Sequence, residues 1–196
     1  MSEQTSDETL RNVTIGDMPT YVPIVLAEYD EDWPILYLRE ERRIRAILGD
    51  RVVRIDHFGS TSVPGLAAKP IIDISLAVPD SSDEPGYAPD LEAHGYVLRI
   101  REPDWHEHRL FKGPDTDINL HVFTVGSPEI DKQVRFRDWL RTHPEDRDLY
   151  LRTKRDLAAR RWKYTQHYAD AKTQVIEDIM ARTGLDAGSS PMGNGT

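Results

Sequence analysis

Residues 55–78, IDHFGSTSVPGLAAKPIIDISLAV, have the form strand, tight polar loop, strand. Residues 52–58 are β-branched and apolar-rich, and residues 70–78 are nearly continuous aliphatic with one carboxylate, Asp73, inside the run. Burying an unpaired carboxylate among Ile71, Ile72, Ile74 and Leu76 is costly, so Asp73 is expected where water, a cation or a hydrogen-bond donor reaches it. The two-residue period of a strand puts Asp73 and Ser75 on one face and Ile72, Ile74 and Leu76 on the other. Upstream, Gly59 lets the backbone approach a ligand closely. Ser60, Thr61 and Ser62 supply hydroxyls and N–H groups of the kind that hold phosphate oxygens, and Pro64 and Gly65 turn the chain back. The plainer alternative is a polar connection whose hydroxyls cap a short turn, with Asp73 hydrogen-bonded to it.

Composition narrows the chemistry. The 196 residues suffice for one full core and contain no cysteine, which excludes disulfides, zinc–thiolate sites and thiol catalysis. No apolar run reaches membrane-span length, and MSEQTSDETLRN lacks the basic and apolar regions of a signal peptide, so a cytoplasmic protein is expected. A formal charge of −9 argues against general nucleic-acid binding and is compatible with a local basic pocket.

Residues 1–18 are polar and without period and read as a disordered or loosely attached arm; residues 19–183 read as one domain and 184–196 as a flexible tail. Residues 22–27, VPIVLA, fit a strand that Pro23 begins or places at an edge. A helix follows, capped by Asp30 or Asp32, with Pro34 in its first turn. Its apolar face is Trp33, Leu36, Tyr37, Ile44 and Ile47 or Leu48, its solvated side Glu40, Glu41, Arg42, Arg43 and Arg45, and its end Gly49. After a loop over 79–89, a short helix over 89–94 stops at Gly95, and 96–100 and 106–112 read as strands. In the second of these His106 and His108 share one face, and Arg109 and Phe111 the other. Residues 117–125, DINLHVFTV, alternate Asp117, Asn119 and His121 with Ile118, Leu120 and Val122. That polar face can look into the same cleft as Asp73 if the strands are neighbours. From 127 to 183 the pattern is helical: one helix ends near His143-Pro144, and another starts near Asp146 with Tyr150, Leu157, Tyr164, Tyr168, Val175 and Ile179 toward the core. Residues 132–163 hold eleven Lys and Arg against five Asp and Glu, a basic flank able to orient a triphosphate.

The block HFGSTSVPGLAAKPIIDI, followed by INLHVF, FRDWLR, LYLRTK and YADAKTQVIEDI, resembles the GrpB (UPF0157-type) family over about residues 22–183. The resemblance implies the nucleotidyltransferase fold related to DNA polymerase β: an α/β (α+β) domain with a mixed twisted sheet of about five or six strands flanked by helices and a helical C-terminal segment. The superfamily signature is a Gly-Ser turn, an Asp-x-Asp or Asp-x-Glu on the next strand and a third Asp on a later one. Gly59 and Ser60 match the turn, and Asp73 the first carboxylate. Ser75 stands where the second carboxylate belongs, and the third position falls on Asp117, Asn119 or His121.

By that resemblance the chain is a metal-dependent nucleotidyltransferase, moving a nucleotidyl group from ATP or another NTP to a small-molecule acceptor with Mg²⁺ or Mn²⁺. Gly59, Ser60, Thr61 and Ser62 would hold phosphates, with Lys69, Arg109 and Lys154 neutralising charge. Asp73, Ser75 and Asn119 would face the metal, and His121 would be the base in place of the missing carboxylate. Two alternatives remain: a domain that keeps the fold and binds nucleotide or a partner without turnover, and an ATP-dependent ligase or activating enzyme. Lys154 and Lys172 both fall in family blocks, and on one straight helix they would stand roughly 27 Å apart, too far to share a ligand.

Overall fold

The computed structural model describes residues 4–18 and 23–183. Five strands, β1 (Arg54–Phe58), β2 (Ile72–Val78), β3 (Val97–Glu102), β4 (His108–Lys112) and β5 (Ile118–Thr124), form one mixed sheet in the order β1-β2-β5-β4-β3. The β2–β5 pair is parallel and the other pairs are antiparallel. This is the expected α/β architecture, with strands at five of the six places read from the sequence.

The sixth place differs. Val22 lies outside the described residues, and residues 23–27 form no strand: Ala27 makes one isolated antiparallel bridge to Ala68, and Val25 is 67 % exposed. Without a neighbour along its length this apolar run has no ladder to join.

The apolar halves of β2 and β5 face α2 (Trp33–Leu48) and α3 (Ala88–Ala93). Trp33, Ile44 and Leu48 of α2 and Leu91 of α3 pack there with Ile72, Ile74, Leu76, Ile118, Leu120 and Val122. Pro34 starts α2 and Gly49 ends it, as the sequence indicates. Glu40, expected on the solvated side, is wholly buried in the same stripe as Trp33, Ile44 and Leu48. It is tolerated there because the Tyr96 hydroxyl donates to Oε1 and Arg43 stands 3.5 Å from Oε2.

The opposite face of the sheet is covered by α4 (Pro128–Thr142), whose Ile130 packs on Ala77 and Phe123. Beyond it, α5 (Pro144–Ala158) and α7 (Thr173–Arg182) join α4 around Leu140, Tyr150, Val175 and Ile179, and close on Val63 and Leu66 of the signature loop. The stretch read as one helix from Asp146 is broken: α5 stops at Ala158, and the short α6 (Thr165–Asp170) precedes α7. The Trp162 indole N–H donates to the Leu157 carbonyl at 2.8 Å, satisfying a C-terminal group of α5 and turning the chain there.

The N-terminal arm also departs from expectation. Residues 7–13 form α1 (Asp7–Val13), capped by Ser6 and anchored by buried Leu10. Ile15 N–H donates to the Arg99 carbonyl at 2.8 Å, and the Thr5 N–H to the Asp170 carboxylate at 2.8 Å. The polar composition hid one buried leucine and one serine cap. The expected tail, 184–196, lies outside the described residues. Among the described residues no helix is long and apolar enough to cross a membrane.

Candidate functional site

The site lies on the polar face of β1, β2 and β5. Gly59 ends β1 at φ 70°, and a Cβ there would fall 2.7 Å from Asp73 Oδ2. Only glycine admits both that conformation and that approach. Ser60–Ser62 form a single 3₁₀ turn whose three hydroxyls have separate duties. Ser62 Oγ donates to the Gly59 carbonyl at 2.6 Å, and Thr61 Oγ1 to the Ile71 carbonyl at 3.1 Å while lying 3.1 Å from His57 Nε2. These two side chains are buried and brace the loop. Burial holds the His57 imidazole down to about 4, so it is neutral at pH 7. Ser60 accepts from Lys154 Nζ at 2.8 Å, and the same ammonium donates to the Ala67 carbonyl at 2.6 Å. Lys154 thereby ties both ends of the loop to α5.

The parallel register sets Asp73 against Asn119 and Ser75 against His121. Asn119 Nδ2 donates to Asp73 Oδ1 at 2.7 Å, and Lys112 Nζ donates to Asn119 Oδ1 at 2.7 Å. His121 Nε2 stands 3.9 Å from Asp73 Oδ1. Burial opposes ionisation of Asp73, but His121, Asn119 and Lys69 outweigh it and keep the carboxyl below the usual carboxylate range. Ser75 is wholly buried, and its Oγ has no hydrogen-bond partner among the described residues.

An open cavity of about 280 Å³ is lined by Gly59, Ser60, Asp73, Tyr150, Lys172 and Arg137, among others. That is near the lower end of the roughly 300–1,000 Å³ typical of ligand pockets. A larger depression of about 480 Å³ shares Glu129 and Lys132 with it but holds none of the signature residues.

Three lysines surround this junction. Burial, then Lys172, lowers Lys69 to about 8 and Lys154 to about 7; burial also lowers Lys172. Asp73 acts on all three in the opposite direction. Lys69 and Lys172 flank the Tyr168 ring, 6.0 Å and 4.8 Å from its centroid. Among the described residues neither forms an ion pair with a carboxylate at contact distance.

Of the residues singled out in the sequence, Gly59, Ser60, Asp73, Asn119, His121, Lys69 and Lys154 converge here. Arg109 does not. It pairs with Val122 across the ladder, on the opposite face, and its guanidinium bonds Glu84 at 2.5 Å and Glu107 at 3.3 Å. The strand alternation that set Arg109 opposite His108 already carried that result. His106 does not share a strand face with His108: it lies exposed in the turn before β4 at φ 54°.

Lys112, Arg137, Tyr150 and the partnership of His108 with His121 were not read as site features. Alternation along β4 could have found Lys112. Tyr150 was read as packing, and it is buried, yet it also lines the cavity; burial pushes its phenol up to about 12, with Ser60 acting in the opposite direction.

The donors suit an anion better than a pair of divalent cations. Asp73 is the carboxylate at the centre of the cluster; Ser75 is buried, the Asn119 oxygen is taken by Lys112, and Asp117, the other candidate for the third position, is exposed just before β5. Among the described residues no group of three or more His, Cys, Asp or Glu is placed to hold a metal ion.

The GrpB protein family model matches residues 23–182. A UPF0157 protein of Halalkalibacterium halodurans is 60 % identical over 178 residues, covering 90 % of this chain and 91 % of its own. Another UPF0157 protein, of Streptomyces coelicolor, is 45 % identical over 85 % of this chain and 87 % of its own. Among solved structures, the conserved protein GrpB from Enterococcus faecalis shares the fold, with a TM-score of 0.69 at 24 % identity over 82 % of this chain and 99 % of that one.

Proposed function

The chain belongs to the GrpB family, and from that premise we propose that its Ser60–Asp73 pocket binds the phosphate groups of a nucleotide, with fixed lysines neutralising their charge. The observation that carries this reading is the pair Lys69 and Lys172: partly buried cations beside the signature loop, without an ion-pair partner among the described residues. Crowding such cations is unfavourable in the empty pocket and favourable once an anion arrives. Lys154 adds a third amine that an arriving anion would hold protonated, and Ser60 a hydroxyl in the cavity lining. A phosphate chain would occupy the cavity, with the rest of the ligand passing out through the open side.

The test is thermal stability of the full chain against each nucleoside triphosphate, with Mg²⁺ or Mn²⁺ and with EDTA, since a ligand that binds only the folded state raises its apparent stability. Stabilisation by a triphosphate in EDTA supports the lysine cradle. No shift with any triphosphate under either condition overturns it.

A second reading, nucleotidyl transfer to a small-molecule acceptor, is favoured by one observation, His121 beside Asp73. In that reaction the acceptor oxygen attacks the α-phosphorus, pyrophosphate leaves, and the acceptor proton passes to His121 Nε2. It predicts a nucleotidylated product and pyrophosphate in equal amounts. It also predicts a divalent-cation requirement that binding alone does not.

A further inference from the structure

Four side chains from four strands run in a line across the polar face of the sheet. Glu102 on β3 reaches His108 on β4 (Oε2 to Nδ1, 2.7 Å), His108 reaches His121 on β5 (Nε2 to Nδ1, 3.0 Å), and His121 Nε2 looks at Asp73 on β2 across 3.9 Å. We infer that Glu102 and His108 are positioning residues that fix His121 in its Nδ1–H tautomer, presenting the Nε2 lone pair to the Asp73 pocket as a base for a ligand hydroxyl. The inference rests on the reading of that pocket as a ligand site.

The order of partners dictates where the hydrogens lie. A carboxylate only accepts, so the His108 nitrogen facing Glu102 must carry the hydrogen. Burial holds the His108 imidazole down to about 4 despite Glu102, so the ring is neutral and its Nε2 is a lone pair. That lone pair accepts from His121 Nδ1, which must then carry a hydrogen. In the uncharged state of the His121 ring Nε2 is then the lone pair, and it faces the Asp73 carboxylate oxygen. Two acceptors should not close to hydrogen-bond distance, and 3.9 Å is beyond it. A ligand O–H entering that gap can donate to either. When its proton moves to Nε2, the O–H bond breaks, an N–H bond forms, and the imidazolium so made stands beside Asp73.

The rings are held for this duty. His108 stacks on His121 and on Phe123, with centroids 5.1 Å and 4.8 Å apart; Trp105 meets His108 edge-on at 5.1 Å, and Phe58 meets His121 edge-on at 5.2 Å. The turn that delivers His108 is strained: His106 and Glu107 adopt φ of 54° and 50°, left-handed backbone that costs non-glycine residues about 1–2 kcal/mol each. In the β3–β4 register it brings Glu102 directly opposite His108.

Long-range ¹H–¹⁵N correlation spectra of the ligand-free full chain, labelled with ¹⁵N-histidine, read the tautomer directly. The expected spectrum shows His121 protonated at Nδ1 with a pyridine-like Nε2. In Glu102→Gln, whose amide can donate as well as accept, His108 can reverse and the two His121 tautomers should become comparably populated. A wild-type His121 protonated at Nε2 overturns the inference, as does a Glu102→Gln spectrum in which His121 is unchanged. Should Glu102→Gln fail to fold, the wild-type spectrum still decides. Binding of inorganic triphosphate, followed separately by calorimetry, distinguishes the two failures: a chain that ignores triphosphate can still show the tautomer, and the wrong tautomer does not prevent triphosphate from binding.

Discussion

The two faces of β2 and β5 are built from alternate residues of the same strands and obey opposite rules. On one face Ile72, Ile74, Leu76, Ile118, Leu120 and Val122 are each at most 1 % exposed and close a dry core with α2 and α3. On the other, Asp73 and Asn119 are bonded to each other and Asp73 faces His121. The helices above that face bring lysines, and only part of the area is filled by apolar contacts. The first face stabilises the fold by excluding water, whereas the second gathers charges that the empty protein tolerates poorly. In the proposed reading, stability and ligand recognition are separated by a single residue step along each strand.

Substitutions should expose that separation. The largest effect belongs to the apolar face: Leu120→Ala should lower unfolding free energy by about 2–5 kcal/mol, read by denaturant titration, while the folded fraction binds triphosphate as before. Gly59→Ala strikes the hinge between the faces. The added methyl meets Asp73 Oδ2 at 2.7 Å in a left-handed backbone, so about 1–3 kcal/mol should be lost together with triphosphate binding.

On the polar face pH acts through the buried lysines. Lys69 and Lys154 titrate near 10.5 when unfolded and at about 8 and about 7 in the folded chain. Between those values the unfolded state holds more protons, so these lysines make the protein more stable as pH rises from 7 toward 10.5. Each adds at most about 1.4 kcal/mol per pH unit. Bound phosphate favours the ammonium forms, so triphosphate affinity should fall over the same rise. Chemical denaturation and calorimetry at pH 6, 8 and 10 would show the two trends crossing. The smallest stability effect is expected for Lys172→Ala, under about 1 kcal/mol for a cation over the Tyr168 ring. Its triphosphate affinity should nevertheless drop roughly tenfold, as expected for a lost charge-assisted contact.

The apolar face was legible in the sequence because alternation and helical spacing are local signals. Ile72, Ile74 and Leu76, and Trp33, Ile44 and Leu48, announce their faces without knowledge of any partner. Gly59, Ser60 and Asp73 were legible for a similar reason: a turn between two strands fixes their proximity. The parallel pairing of Asp73 with Asn119 joins residues 46 apart, so the sequence could supply the condition and not the register. Lys172 reaches the site because the chain breaks after α5, in a stretch with no proline or glycine to announce it, where the Trp162 indole bonds the Leu157 carbonyl. Glu40 was misread because charge usually marks the wet side of a helix, and its partner Tyr96 lies 56 residues away.

The most direct test of the lysine cradle is isothermal titration of ATP in EDTA into the wild-type chain and into Asp73→Asn. If lysines carry the phosphate charge, the wild type binds without a divalent cation, and Asp73→Asn binds at least as tightly because the one carboxylate beside Ser60 has been neutralised. Binding that appears only with Mg²⁺ and vanishes in Asp73→Asn would contradict the cradle and leave a carboxylate-held cation as the basis of the site.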